Sequence, residues 1–151
     1  MPLSTYREYF PELVSLMLLA RSRQRVAHAY LLVGDTADQL VDIAEAWIQV
    51  CACQKPTSSG DACGECEPCR LLGHHNYPEL FTLRPRSKSR RIRVDDVRDL
   101  EHQLGLKATP GRLKAGLIME AECMNPEAQN AFLKTLEEPP PNTILILTTT
   151  Q

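Results

Sequence analysis

Four segments of the chain carry apolar residues every three or four positions, a spacing that places them on one face of a helix. These segments are residues 6–25, 38–51, 94–104 and 126–136. Pro11 is expected to divide the first segment into two pieces, because proline lacks the N–H that a helix interior uses. Asn125 is predicted to cap the last segment, since Pro126 follows it at the first helical position.

Continuous apolar runs between these helices predict the strands of a sheet. They are residues 28–33 (HAYLLV), 79–83, 114–120 (KAGLIME) and 143–149 (TILILTT). The first run is apolar at consecutive positions and stops at Gly34, a pattern typical of a strand buried on both faces. Strands that alternate with helices form βα units, so we expect an α/β protein with a three-layer parallel sheet.

Length and composition indicate one globular domain over residues 1–151. The chain is 43% hydrophobic and 24% charged, enough to bury a core. It has no run of the roughly 20 apolar residues that span a bilayer. The N-terminus lacks the pattern of a signal peptide. A cytoplasmic protein is therefore expected.

The charge is small overall but unevenly distributed. The net charge of -2 and the pI of about 6.1 give no general attraction to nucleic acid. One segment is nevertheless strongly basic, with six cationic residues: Arg84, Arg86, Lys88, Arg90, Arg91 and Arg93. These residues could neutralise phosphates, which would suit a zinc-stabilised DNA-binding module. Only 5% of the chain is aromatic, so an exposed loop is the favoured interpretation.

Cysteine spacing predicts a zinc site within a module of about residues 51–75. Cys63, Cys66 and Cys69 form two consecutive CxxC steps, and Cys53 precedes them by a nine-residue interval. In a reducing compartment this spacing indicates metal ligation, and four thiolates make a closed structural site. The alternatives for the fourth ligand are Cys51, His74 and His75.

The turn after the first predicted strand stands where a phosphate-binding loop, GxxxxGK[S/T], would occur. From Gly34 the sequence reads GDTADQLV, so Gln39, Leu40 and Val41 replace the second glycine, the lysine and the hydroxyl residue. Without lysine no cation meets the phosphates, and without the hydroxyl the magnesium ion loses a ligand. A lost charge-assisted contact costs about 1.5–3 kcal/mol. ATP is therefore not expected to bind tightly.

Four motifs in the chain resemble the bacterial DNA polymerase III clamp-loader family of AAA+ proteins, which includes the delta-prime and gamma/tau subunits. They are residues 28–31 (HAYL), the cysteine cluster 63–69, residues 94–98 (VDDVR) and residues 130–139 (NAFLKTLEEP). The last resembles the NALLKTLEEP signature of the family. The resemblance covers the chain from about Arg25 to Gln151, and it implies a P-loop NTPase fold of AAA+ type with an inserted zinc-binding loop.

The same resemblance places a Walker B motif at the end of the third predicted strand. Family members usually have Asp-Glu there, whereas this chain has Met119 and Glu120. The magnesium-binding carboxylate is thus missing, and the glutamate that polarises water is kept. Together with the altered loop, this implies a vestigial nucleotide site without catalytic residues, similar to delta-prime subunits.

The family role that this implies is a non-hydrolysing subunit of the clamp loader. Such a subunit is not an enzyme by itself and belongs to a complex with DNA-directed DNA polymerase activity. Its expected partners are the delta and gamma/tau subunits, with primed DNA and the sliding clamp reached through the complex. The alternative within the family is an active ATPase of gamma/tau type that uses Glu120.

Two departures from the family pattern affect these expectations. The interval between Cys53 and Cys63 is one residue longer than usual, which a loop absorbs easily. Family members also continue beyond the position of Gln151 with a Ser-Arg-Cys motif, a lid domain and a collar domain. We therefore expect the chain to be a truncated N-terminal domain.

Overall fold

The computed structural model describes residues 2–106 and 110–151. Its helices are a 3-10 helix at Leu3–Glu8, α1 at Pro11–Ser22, α2 at Ala37–Ala52, α3 at Glu67–Gly73, α4 at Val94–Gly105, a second 3-10 helix at Ala121–Cys123 and α5 at Pro126–Glu137. Its strands are β1 at Ala29–Val33, β2 at Leu80–Leu83, β3 at Lys114–Ile118 and β4 at Thr143–Thr149.

The four strands form one parallel sheet in the order β1-β4-β3-β2. The two inner strands, β3 and β4, are almost fully buried, as their apolar sequences require. Parallel neighbours need crossover connections, and the helices between the strands supply them. The predicted α/β fold with a parallel sheet is confirmed.

The expectation that β1 is buried on both faces is wrong. Leu32 is buried, whereas Leu31 and Val33 are 59% and 61% exposed. Within the described residues β1 pairs only with β4, so it is an edge strand. An apolar run of five residues reports hydrophobicity alone and carries no information about the order of strands in the sheet.

The chain divides into two compact units. The first comprises Met1–Ala27 and Asp42–Pro78, and it contains α1, α3 and most of α2. The second comprises His28–Val41 and Glu79–Gln151, and it contains the whole sheet with α4 and α5.

The core of the second unit lies where α4 and α5 pack with β3 and β4. Gly116 marks a close approach, since a Cβ atom there would come within 2.9 Å of Leu145 Cδ2. The predicted cap of α5 is confirmed, because the Asn125 side chain accepts a hydrogen bond of 2.8 Å from the Ala128 N–H. The buried cluster contains Ile92, Val97, Leu100, Leu104, Ile118, Ala121, Met124, Ala128, Phe132 and Leu145.

Two details near the predicted sites differ from expectation. Helix α3 was not predicted, and it begins directly after Cys66 with Pro68 in its first turn. Strand β3 ends at Ile118, so Met119 and Glu120 lie in the turn that follows it. Among the described helices, none is long and apolar enough to cross a membrane.

Candidate metal centre and nucleotide pocket

Four cysteine sulfurs of the first unit meet in one cluster. The Sγ atoms of the cluster lie within 4.8 Å of one another, and they belong to Cys53, Cys63, Cys66 and Cys69. The Cys63 and Cys69 sulfurs are 3.9 Å apart, as are those of Cys53 and Cys66. A tetrahedron with metal–sulfur bonds of about 2.3 Å has sulfur–sulfur edges of about 3.8 Å. The four cysteines could therefore hold a metal ion.

Local backbone geometry presents these sulfurs. Gly64 has φ +76°, a left-handed conformation that glycine adopts without strain, and it turns the chain between the first two ligands. The N–H groups of Glu65 and Cys66 then donate to Cys63 Sγ at 3.4 and 3.2 Å. The N–H of Cys63 donates to Cys53 Sγ at 3.3 Å. Such donors stabilise sulfur as thiolate, the form that binds metal.

The thiols differ in acidity. The N–H donors from Glu65 and Cys66 lower the pKa of Cys63 to about 6. Burial raises the pKa of Cys69 to about 12, and burial also raises the pKa of Cys53. A bound cation would offset this burial cost by stabilising all four thiolates.

Cys51, His74 and His75 were the other candidates for the fourth ligand. None of them belongs to the metal-ligand cluster found among the described residues. Cys51 lies within α2, and burial raises its pKa to about 12. His74 and His75 are exposed at the end of α3. The structure thus brings Cys53 to the other three cysteines. Cys123 belongs to the second unit and packs against its core.

Three of the vestigial nucleotide residues, Val41, Met119 and Glu120, line a cavity of about 220 Å³ in the second unit. The cavity is formed at the carboxyl ends of β3 and β4 and at the start of α2, where open α/β sheets bind their ligands. Its lining comprises Ala37, Asp38, Val41, Arg84, Pro85, Arg90, Met119, Glu120 and Thr148.

Leu40, at the position of the absent lysine, is buried beneath the turn that follows β1. A Cβ atom on Gly34 would come within 3.0 Å of Leu40 Cδ2. The Gly34 N–H donates to the Thr149 carbonyl at 3.2 Å and so fixes the turn to β4. Val41 lines the cavity, whereas Gln39 is half-buried and outside its lining. A buried apolar side chain therefore occupies the sequence position of the phosphate-binding lysine.

Glu120 is fixed from two directions. Its N–H donates to Thr148 Oγ1 at 3.3 Å, and its carboxylate accepts a hydrogen bond of 2.7 Å from Arg90 Nη2. Sequence reasoning placed Glu120 at this site and did not identify Arg90, which lies thirty residues earlier in the basic loop. The basic residues suggested a surface loop, and nothing in their spacing singles out one of them.

The six cationic residues of the basic loop are exposed. Pro85 and Ile92 anchor the loop because both are buried. Arg86 pairs with Asp96 at 2.9 Å, and Arg90 pairs with Glu120 as described. The positive charges of Arg86 and Arg90 are thus partly neutralised by carboxylates of the same chain.

Comparison with known families gives one match over nearly the whole chain. Residues 11–151 match the family described as DNA polymerase III, delta subunit. DNA polymerase III subunit delta' of Pseudomonas aeruginosa is 44% identical over 125 residues, which are 83% of this chain and 38% of that protein. The corresponding subunit of Yersinia pestis is 36% identical, covering 83% of this chain and 37% of that protein.

The tau/gamma branch is also similar. DNA polymerase III subunit tau/gamma of Haemophilus influenzae is 34% identical over 83% of this chain and 18% of its own length. Among solved structures, a gamma subunit-related protein of Thermotoga maritima matches 89% of this chain and 39% of its own chain. Its TM-score is 0.55 and its identity 16%, so it supports the predicted AAA+ type of fold alone. The chain spans less than two fifths of the length of these relatives.

Proposed function

The chain belongs to the DNA polymerase III, delta subunit family, and from this premise we propose that it is a non-hydrolysing subunit of the bacterial clamp loader. In this role it joins the delta and gamma/tau subunits in a cytoplasmic hetero-oligomer that loads the sliding clamp onto primed DNA. It contributes to a complex with DNA polymerase activity without turning over ATP itself. Residues 1–151 serve as its AAA+-like N-terminal domain.

The observation that carries the non-hydrolysing role is the lining of the 220 Å³ cavity. Cavities that bind small molecules usually measure about 300–1,000 Å³. Val41 and Met119, which offer no metal ligand, line this cavity at the positions of the magnesium-binding hydroxyl and carboxylate, and Asp38 adds a negative charge beside them. Glu120 Oε1 accepts a hydrogen bond from Arg90, and this contact competes with a role of the carboxylate in polarising water.

The four-cysteine cluster supports a structural zinc ion as the cofactor of this domain. Cys53, Cys63, Cys66 and Cys69 would hold it, because their sulfur spacing suits a tetrahedral thiolate site. A zinc ion would cross-link the segment between α2 and α3. This segment is mostly exposed and has few apolar residues of its own to hold it in place. Four thiolates leave no coordination position for water, so the ion has no part in hydrolysis.

The test is a titration of the purified, zinc-loaded chain with a fluorescent ATP analogue and magnesium, with a gamma/tau subunit as positive control. We expect no saturable binding up to millimolar nucleotide. Micromolar, magnesium-dependent binding with hydrolysis that disappears in Glu120→Gln would overturn the proposal in favour of an active ATPase.

A second measurement addresses assembly and DNA. The chain is mixed with delta and gamma/tau subunits, and complex formation is followed by analytical ultracentrifugation, with each subunit alone as control. The separated chain is also titrated with DNA at several salt concentrations. Tight DNA binding with a steep salt dependence would favour the DNA-binding module instead.

A further inference from the structure

We propose that Arg21 is a positioning residue for the metal centre, because it fixes the end of α2 and with it the backbone of Cys53. The inference rests on the proposed zinc site, and it assigns a role to a residue on α1, outside the cysteine-rich segment. Arg21 and the residues it contacts all belong to the first unit.

The contact consists of two hydrogen bonds from one guanidinium group. Arg21 Nε donates to the Val50 carbonyl at 3.3 Å, and Nη2 donates to the Cys53 carbonyl at 3.3 Å. The last carbonyls of a helix have no partner within the helix, so an external donor is needed there. The Cys53 N–H meanwhile donates to the Gln49 carbonyl at 2.9 Å. Both backbone polar groups of Cys53 are therefore held.

Cys53 depends on such support more than the other ligands do. Cys63, Cys66 and Cys69 lie close in sequence, where one turn and the start of α3 present their sulfurs. Cys53 comes from the far side of a nine-residue loop. Holding a ligand in place before the metal binds removes part of the ordering cost, so the backbone anchor of Cys53 should raise metal affinity.

Electrostatics favour the same assignment. A zinc ion with four thiolates carries a net charge of about -2, the sum of +2 and -4. The guanidinium carries a positive charge, and it lies at the negative end of the α2 dipole beside Cys53. Arg21 is half-buried, so its charge is less screened than that of an exposed arginine.

The geometry also predicts which substitution is tolerated. Two nitrogens of the planar Arg21 guanidinium donate to two carbonyls, those of Val50 and Cys53. The single ammonium group of a lysine cannot reproduce this arrangement. Loss of an outer partner of a metal ligand typically costs 10–100-fold in metal affinity. We therefore expect Arg21→Ala to raise the zinc Kd by about 10–100-fold, and Arg21→Lys to raise it by less.

The experiment compares zinc affinity in four forms of the chain: unchanged, Arg21→Ala, Arg21→Lys and Arg23→Ala. Arg23 is the matched control, since it is an exposed arginine two residues further along at the end of the same helix. Zinc Kd is measured by competition with a chromophoric chelator, and cobalt substitution reports the tetrahedral thiolate site. Unfolding free energies are measured with and without zinc.

The expected result is a raised zinc Kd in Arg21→Ala, a smaller rise in Arg21→Lys and an unchanged zinc Kd in Arg23→Ala. A merely structural role of Arg21 would lower the stability of the zinc-free and zinc-loaded forms equally and leave the zinc Kd unchanged, which would overturn the inference. If Arg21→Ala does not fold, an unchanged Kd in Arg21→Lys would overturn it. Absence of metal binding by the unchanged chain would instead overturn the proposed zinc site.

Discussion

Arg90 Nη2 lies 2.7 Å from Glu120 Oε1, and this ion pair joins the basic loop to the turn after β3. Both residues have positive φ angles, 55° for Arg90 and 52° for Glu120. Such backbone conformations cost about 1–3 kcal/mol for residues other than glycine, and they persist only where surrounding contacts hold them. The glutamate that the Walker B resemblance assigns to water activation is thus engaged by a side chain of the same unit.

Breaking this ion pair is expected to have a small effect on stability. The side chains of Arg90 and Glu120 are 58% and 34% exposed, and exposed pairs contribute roughly 0.2–1 kcal/mol. Glu120→Gln should therefore lower the free energy of unfolding by less than about 1 kcal/mol in urea titrations. Glu127→Gln, at an exposed position of α5, is the control. A loss above about 3 kcal/mol would show that the pair acts as a buried one.

Zinc affinity is expected to fall as the pH is lowered from 8 to 6. Burial raises the pKa of Cys69 to about 12 and raises that of Cys53, so both are thiols at neutral pH before metal binds. Zinc must displace these protons, and the zinc Kd therefore rises with proton concentration. Below pH 6 protonation of Cys63, whose pKa is about 6, should steepen the trend. Chelator competition at several pH values measures it.

Two serine substitutions serve as the controls for this zinc prediction. Cys51→Ser should bind zinc with the same pH dependence as the unchanged chain, whereas Cys53→Ser should lose tight binding. A zinc Kd that does not change with pH would contradict the prediction. Equal losses in both variants would argue that Cys51 takes part in the site.

The Arg86–Asp96 ion pair should add stability that acid removes. The hydrogen bonds from Arg86 lower the pKa of Asp96, and the Arg93 N–H adds to this effect. Since the folded pKa is below the unfolded value of about 3.9, the contribution is present above that pH and is lost as the pH falls through the folded pKa. Asp96→Asn should therefore reduce stability at pH 7 and have less effect near pH 2.

Urea titrations at several pH values test this prediction. Asp99→Asn, at an exposed position of the same helix, is the control, and its effect should be small throughout. An effect of Asp96→Asn that is the same at pH 7 and pH 2 would contradict a role for the charge.

Gly116→Ala should destabilise the second unit. The added methyl group would lie 2.9 Å from Leu145 Cδ2 and 3.5 Å from Leu104 Cδ1, within a closely packed core. Overpacking of this kind typically costs about 1–3 kcal/mol. Gly105→Ala is the matched control, since nothing lies within 4 Å of its Cβ position. Thermal unfolding of both variants measures the difference, and equal stabilities would contradict the prediction.

The sequence predicted the strands and helices wherever their periods were long and clear. Helix α4 is an example, because Val97, Leu100 and Leu104 are buried on one face as their spacing requires. The exposure of Leu31 was not predictable in this way, since it depends on the position of β1 in the sheet. Helix α3 was missed because its seven residues are too few to display a helical period.

For the candidate sites, the sequence identified local features and missed long-range contacts. The CxxC spacing predicted that Cys63, Cys66 and Cys69 share one metal site. The structure groups their sulfurs with that of Cys53. The role of the four as zinc ligands stays a prediction. The contacts of Arg21 and Arg90 join residues about thirty positions apart, and no periodicity encodes such contacts.

The strand order has a consequence for folding during synthesis. Leu31 of β1 pairs with Leu147 of β4, more than a hundred residues later. At about 5–20 residues per second, a ribosome needs roughly 6–23 s to make the intervening chain. All four cysteines of the cluster, by contrast, are synthesised before Pro78, where the first unit ends. The cysteines of the proposed zinc site are therefore available to a metal ion while β1 still awaits its partner, and on that proposal zinc supply would influence the earliest stage of nascent-chain folding.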